Sequence, residues 1–134
     1  MEDLPHDLIA DLYNKEHVQI RDIAEKYILP CEKLIFISPE YNGSFPGIFK
    51  VFIDAGDLYK YFSGKKAALV GISSGRNGNI RGMDHLTDIF HHMRMEVMSY
   101  KVSVSRVHEE IGKGEVQAAT LKSIEKQIDM FLKF

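Results

Sequence analysis

Residues 34–47 read LIFISPEYNGSFPG and join a short apolar run to a polar loop punctuated by proline and glycine. The apolar part, residues 34–37, has the composition of a buried strand. Open α/β sheets bind their ligands where a strand ends in a loop of this kind before a helix. Proline stiffens the loop by fixing φ, and glycine lets backbone approach a flat ligand closely. We therefore expect the loop to offer main-chain groups to a heterocycle, with Tyr41 as an aromatic wall.

The remaining residues alternate helical patterns with apolar runs. After an irregular lead-in over residues 1–14, the spacing predicts helices over 18–29, 46–59, 80–93 and 115–132 and strands over 34–37, 67–72 and 97–104. Continuous apolar strands that alternate with helices predict an α/β fold, in which helices cover both faces of a parallel sheet. The length of 134 residues fits one domain, residues 1–134.

Composition excludes several classes of protein. A net charge of −2 without a long basic run argues against a nucleic-acid binder. Cys31 is the single cysteine, so there is no disulfide framework or zinc spacing, and we expect a buried small hydrophobe in a reducing cytosol. The acidic N-terminus lacks the apolar region of a signal peptide, and no run approaches the roughly 20 apolar residues of a membrane span. These features predict a cytoplasmic protein with neither a nucleic-acid nor a membrane partner.

The segment 38–47, together with Phe49-Lys50 and Ile53-Asp54, resembles the signature of the NADPH-dependent FMN reductase family. Members of this flavodoxin-like family carry a P-E-Y-N-x-S-x-P-G pattern after the third strand. Residues 73–79, SSGRNGN, stand where the family has a second loop in contact with the flavin. The resemblance implies a cofactor-binding set on both sides of the isoalloxazine ring, formed by Pro39, Glu40, Tyr41, Asn42 and Gly43 and by Ser73, Ser74, Gly75 and Arg76.

The same resemblance implies a function. FMN would be the cofactor, NADPH or NADH the electron donor, and a quinone, azo compound, metal oxyanion or second flavin the small-molecule acceptor. We name no catalytic residue, because the cofactor carries the redox step. Related proteins imply a homo-oligomer. Three positions depart from the family's Leu, Asn and Ala after the motif, which predicts a different packing surface on that helix: Phe49, Val51 and Phe52.

A larger departure concerns the N-terminal part of the family fold. Family members open with a strand, a G-S-x-R-x-x-S phosphate loop, a helix and a second strand, and this sequence contains no such stretch. We therefore expect about three strands of a flavodoxin-like sandwich, with residues 34–37 left as an apolar edge. The expected consequence is self-association through that edge and weak or absent FMN binding. The alternative function is an incomplete flavodoxin-like domain without catalytic activity.

Several residues allow a second interpretation. Arg76 would contact the flavin or nicotinamide phosphates, or lie solvated in its loop, and Tyr41 would stack on a flavin or merely pack over the sheet end. His85, Asp88 and His92 share one helical face, but a solvated face is favoured and no metal is expected. Neither a G-x-S-x-G elbow nor the acidic pocket of a response regulator is present. Four methionines are expected to fill the core: Met83, Met93, Met95 and Met98.

Overall fold

A computed structural model describes residues 17–134, apart from the side chain of Lys113, and shows helices alternating with parallel strands. The predicted lead-in over residues 1–14 lies outside this range. In chain order the elements are α1 (Val18–Ile23), a π-helical turn (Ala24–Ile28), β1 (Lys33–Pro39), α2 (Gly47–Ala55), α3 (Leu58–Phe62), β2 (Lys66–Ile72), α4 (Ile80–His92), β3 (Glu96–Val97), β4 (Val102–Val104), α5 (Val107–Glu110), a 3-10 turn (Gly112–Gly114) and α6 (Ala118–Lys133).

The strand β2 lies at the centre of the sheet. It pairs with β1 along its full length, from Lys33 opposite Lys66 to Pro39 opposite Ile72. On its other side it pairs with β3 at its start and with β4 at its end. All three pairings are parallel, which confirms the α/β class and puts the carboxyl ends of β1, β2 and β4 at one edge of the sheet.

The prediction of one strand over 97–104 is wrong, because β3 and β4 are separate strands. Gln127 of α6 explains the interruption. Its buried Nε2 donates to the carbonyl of Leu69 in β2 and to the carbonyl of Tyr100 between β3 and β4, both at 2.9 Å. A side-chain amide thus bridges the strands where the backbone ladder is broken.

The predicted helix over 46–59 is also wrong in extent. The backbone leaves the helix at Gly56, which is extended, and Asp57 then accepts a hydrogen bond from the amide of Lys60 at 3.2 Å. Asp57 is therefore the N-cap of a second helix, α3. The last helix begins at Ala118 rather than at residue 115, because a 3-10 turn and an extended Glu115 precede it.

The larger part of the core lies between the sheet and the helices α1, α2 and α4. At its centre Phe90 is fully buried, 4.5 Å between ring centroids from Phe36 of β1. The smaller part lies under α6, where Phe131 packs on Ala68. The four methionines predicted to fill the core are all buried. The prediction that Cys31 is a buried small hydrophobe is wrong. Cys31 is only partly buried, and its Sγ donates to the carbonyl of Tyr27 at 3.4 Å.

The outer side of β1 is open within residues 17–134, because no described strand pairs with it there. On the face of the sheet that carries α6, Ile35 is 49% exposed and Ile37 is 64% exposed. The expectation of an apolar edge at residues 34–37 is therefore confirmed for the described part of the chain.

Candidate functional site at the carboxyl edge of the sheet

Two loops leave the carboxyl edge of the sheet and meet there. We call residues 39–46, after β1, the first edge loop, and residues 73–79, after β2, the second edge loop. The amide of Glu40 donates to the carbonyl of Ile72 at 2.7 Å, which extends the β1–β2 ladder into both loops. The predicted cofactor-binding residues are thus brought to one edge by the two neighbouring strands.

The first edge loop is a tight turn. The amide of Tyr41 donates to the carbonyl of Ser44 at 2.8 Å, and the amide of Ser44 donates back at 3.0 Å. The two residues between them, Asn42 and Gly43, both have positive φ, at 51° and 76°. Two successive left-handed residues define the turn type that favours Asn-Gly, so the sequence dictates this geometry. The turn leaves Tyr41 61% exposed.

The first edge loop is also attached to α4. The Oγ of Ser44 lies 2.8 Å from Nδ1 of His85. His85 is therefore in hydrogen-bond contact with the hydroxyl of Ser44. Within residues 17–134 no group of three or more acidic, histidine or cysteine side chains could hold a metal ion.

The second edge loop turns its carbonyls toward the protein. The carbonyl of Gly75 accepts from the hydroxyl of Ser73 and from the amide of Arg106, at 2.9 and 2.7 Å. The carbonyl of Arg76 accepts from Ser105 Oγ at 2.8 Å. By contrast, the amides of residues 74–77 donate to no other described residue, and residues 74–77 are exposed. The loop thus presents a run of unpaired N–H donors to the outside.

Asn79 holds the two loops together. Its Nδ2 donates to the carbonyl and hydroxyl of Ser38, at 3.0 and 3.2 Å, and to the carbonyl of Pro39 at 3.1 Å. The backbone amide of Asn79 donates to the carboxylate of Glu40 at 3.2 Å. The carboxylate of Glu40 therefore links the two loops. Sequence reasoning did not single out Asn79, whose signal was only an Asn before a helix.

Close backbone packing fixes the second edge loop on the sheet. A Cβ added at Gly71 would lie 2.1 Å from the carbonyl oxygen of Gly78, and one added at Gly78 would lie 2.6 Å from Cβ of Ser103. Gly78 also has a φ of +54°. Side chains at either position would push the loop off β2 and β4.

The donor set fits the ring of a flavin. The edge of an isoalloxazine carries carbonyl oxygens and ring nitrogens that accept hydrogen bonds, and free amides are their natural partners. A Cβ added at Gly75 would meet nothing within 4 Å, so the loop borders open space on that side. A groove of about 490 Å³ runs from the first edge loop along the open side of β1, lined by Tyr41, Pro46, Ile37 and Tyr27 among others.

Comparisons with known proteins point to one family. The family described as NADPH-dependent FMN reductase matches residues 2–109. An NAD(P)H-dependent FMN reductase of Pseudomonas aeruginosa is 43% identical over 61 residues, which are 44% of this chain and 33% of that protein. A 2-hydroxy-1,4-benzoquinone reductase of Burkholderia sp. is 24% identical over 95 residues, 69% of this chain and 52% of that protein. The chain thus spans between a third and about half of the length of these relatives.

A solved structure extends the likeness to the fold. FerB, a flavoenzyme NAD(P)H:(acceptor) oxidoreductase from Paracoccus denitrificans, superposes with a TM-score of 0.78 at 28% identity. The match covers 98% of this chain and 75% of that chain. An NADH:FMN oxidoreductase, EMOB, matches with a TM-score of 0.68 at 18% identity over 96% of this chain and 66% of that chain, and shows the same fold.

Within residues 17–134 no helix has both the length and the apolar character needed to cross a membrane.

Proposed function

The chain belongs to the NADPH-dependent FMN reductase family, whose members use FMN and NAD(P)H, and from this premise we propose that it binds the FMN ring between its two edge loops. The observation that carries the proposal is the run of unpaired amides at residues 74–77, which leaves the same edge of the sheet as the loop of the exposed Tyr41. Asn79 locks the two loops in register. A flat heterocycle with acceptors on its edge is the ligand that this arrangement suits.

Each proposed residue has a role that follows from its position. Pro39, Asn42 and Gly43 set the backbone of the first edge loop, and Glu40 braces it. Tyr41 supplies an aromatic face. From the second edge loop, the amides of Ser74, Gly75 and Arg76 offer donors, while the hydroxyl of Ser73 accepts from the amide of Gly78 at 2.8 Å and keeps the loop in shape.

Bound FMN would supply the capacity to take a hydride from NADPH or NADH and pass electrons to a small-molecule acceptor. The chain's own part is to hold and orient the ring, so no side chain is proposed as a proton donor or nucleophile. Arg76 is exposed, and in this proposal its guanidinium would contact a phosphate of the flavin or of the nicotinamide cofactor. A cytoplasmic location and a homo-oligomeric state complete this proposal.

A second candidate function rests on the open edge of β1. The sequence contains no G-S-x-R-x-x-S phosphate loop, and within residues 17–134 no strand covers β1 on its outer side. We propose as the alternative that the described residues alone bind the flavin ring weakly, without contacts to the phosphate of FMN and without reductase activity.

A comparison of FMN with riboflavin distinguishes the two candidates. The purified chain is titrated with each flavin by fluorescence quenching, and NADPH oxidation is followed with a quinone acceptor. A stoichiometric FMN complex that binds at least tenfold tighter than riboflavin and turns over NADPH supports the reductase. Equal and weak binding of both flavins without turnover supports the inactive domain.

Two matched variants test the placement of the ring. Tyr41→Ala should weaken flavin binding by about 2–12-fold, since an aromatic pair contributes about 0.5–1.5 kcal/mol beyond its buried area. Tyr59→Ala is the control, because Tyr59 is also an exposed aromatic residue but belongs to α3. Equal effects of the two substitutions would place the ring elsewhere.

A further inference from the structure

We propose that residues 105–107, which follow β4, position the flavin by fixing the direction in which the second edge loop presents its amides. We call these three residues the supporting segment. Ser105 is the positioning side chain within it. This role rests on the proposed function, because the flavin ring is the ligand that the amides would meet.

The supporting segment holds three carbonyls of the second edge loop. The three hydrogen bonds run from the amide of Val107 to the carbonyl of Ser73 at 2.9 Å, from the amide of Arg106 to the carbonyl of Gly75 at 2.7 Å, and from Oγ of Ser105 to the carbonyl of Arg76 at 2.8 Å. Three consecutive residues of the chain thus anchor the loop from one side.

Each of these contacts also fixes an amide. In a trans peptide unit the C=O of one residue and the N–H of the next point in opposite directions. A carbonyl held toward the supporting segment therefore turns the following N–H away from it. The N–H groups directed in this way are those of Ser74, Arg76 and Asn77, which all belong to the unpaired donors of the loop.

The backbone of the supporting segment is shaped for these contacts. In an extended strand successive N–H groups point to opposite sides. The N–H groups of Arg106 and Val107 instead both donate to the second edge loop. Arg106 has a φ of 46°, a left-handed conformation that is strained for a residue with a Cβ. An extended Arg106 would turn one of the two amides away from the loop, so the strained conformation serves the contact.

Ser105 is the member of the segment that acts through its side chain. The carbonyl of Gly75 accepts from the hydroxyl of Ser73 as well as from the supporting segment. The carbonyl of Arg76, in contrast, accepts from no described residue other than Ser105. The direction of the Asn77 amide therefore depends on one hydroxyl, and Ser105→Ala removes that hydroxyl while the backbone contacts remain.

The redox state of the flavin distinguishes a positioning role from a merely structural one. A reduced isoalloxazine carries a negative charge at mildly alkaline pH, whereas the oxidised ring is neutral. Hydrogen bonds to a charged acceptor are about twice as strong as those to a neutral acceptor. Loss of one directed amide should therefore weaken the binding of reduced flavin more than that of oxidised flavin. A loop that is only loosened would lose affinity for both forms equally.

The first test measures the binding of oxidised and of chemically reduced FMN by calorimetry without oxygen. Ser105→Ala should weaken the binding of oxidised FMN by about 2–12-fold and that of reduced FMN by about 12–150-fold. Ser105→Thr retains the hydroxyl and should restore both affinities. Ser123→Ala is the matched control, because Oγ of Ser123 also donates to a backbone carbonyl, that of Ala119 at 3.0 Å, but lies on α6.

The outcomes separate this role from the proposed function. Equal losses for the two redox states would show that Ser105 only stiffens the loop, and unchanged affinities would show that it does not act on the flavin; either result overturns the positioning role and leaves the proposed function standing. If the unsubstituted chain binds no FMN in either state, the proposed function fails, and the positioning role fails with it.

The second test uses the chain without flavin and reads the peptide unit directly by nuclear magnetic resonance. Ser105→Ala should shift the carbonyl carbon resonance of Arg76 and the amide resonance of Asn77, because the hydrogen bond that orients their peptide unit is lost. The carbonyl resonance of Ser73 should stay in place, since the backbone amide of Val107 still holds it. An unchanged carbonyl resonance of Arg76 would overturn the role of Ser105 whatever the flavin titrations show.

Discussion

Replacement of Asn79 should loosen the first edge loop from the second, and the size of the effect follows from its contacts. Nδ2 has two protons and three acceptors in range, on Ser38 and Pro39. Loss of these donors leaves buried or half-buried oxygens unpaired at about 1–3 kcal/mol each, although the carbonyl of Pro39 can recruit water. Asn79 also has a φ of 60°, which adds about 1 kcal/mol when alanine takes its place. Because the buried Oδ1 of Asn79 has no hydrogen-bond partner, its removal offsets part of this loss, and we expect Asn79→Ala to lower the free energy of unfolding by about 2 kcal/mol.

Three further substitutions separate the contributions. Asn79→Gly loses the same donors but tolerates the left-handed backbone, so it should cost somewhat less than Asn79→Ala. Asn79→Asp keeps the shape of the side chain but places a carboxylate against the carbonyl oxygens of Ser38 and Pro39. Because these oxygens repel a negative charge, Asn79→Asp should be the most destabilising of the three substitutions at neutral pH. Its deficit should shrink at acid pH, because the pKa of the new carboxyl is raised in the fold and its protonated form can donate. Asn77→Ala, in the exposed part of the same loop, is the control and should change stability by less than about 0.5 kcal/mol.

Urea unfolding followed by circular dichroism measures these differences, and the slope with urea shows whether unfolding stays cooperative. The reasoning is refuted if Asn79→Ala costs less than about 1 kcal/mol, a value that the lost donors alone should exceed. It is refuted equally if the deficit of Asn79→Asp shows no dependence on pH relative to the unsubstituted chain.

Three other predictions concern the fold. Gly71→Ala should lower the free energy of unfolding, measured by the same urea assay, by about 3 kcal/mol or more, because its Cβ would lie 2.1 Å from a backbone carbonyl oxygen. Gly47→Ala is the control, with open space around it, and should change the free energy of unfolding by less than about 1 kcal/mol. Phe90→Ala should cost about 3–5 kcal/mol and Phe90→Leu much less, since the ring is fully buried against Phe36; equal losses would contradict the packing. Burial, with a smaller contribution from Asp57, raises the pKa of Tyr61 in the folded chain. The contribution of the protonated Tyr61 to the free energy of unfolding is therefore complete below about pH 10, the pKa in the unfolded chain, and is lost as the pH rises from there through the raised pKa. Urea midpoints between pH 8 and 11 should therefore fall less steeply for Tyr61→Phe than for the unsubstituted chain.

The strands at the centre of the sheet could be predicted from the sequence, because their apolar runs report burial directly. The run at 67–72 became β2, Lys66–Ile72, within one residue. The strand predicted over 97–104 failed for a reason that no local pattern contains. Its interruption depends on the amide of Gln127, a residue 27 positions away from Tyr100. The break at Gly56 and Asp57 did have a local signal, a glycine followed by a capping aspartate, and the apolar spacing of the flanking residues concealed it.

The loops of the candidate site were predicted in place, whereas the residue that joins them was not. An Asn-Gly pair after a strand is enough to predict the left-handed turn of the first edge loop. Asn79 acts on Ser38, 41 positions earlier, and the contact exists only because β1 and β2 are neighbours in register. Family resemblance places the cofactor-binding loops in the sequence, but the hydrogen bonds between them appear only in three dimensions.

The two edge loops differ in how firmly the fold supports them. The second loop rests on backbone packing at Gly71 and Gly78, and the amide of Ser73 donates to the carbonyl of Val104 at the end of β4. The first loop follows β1, which within residues 17–134 has a neighbouring strand on one side only. Its position therefore depends on side-chain contacts, those of Asn79 with Ser38 and Pro39 and that of Ser44 with His85 of α4.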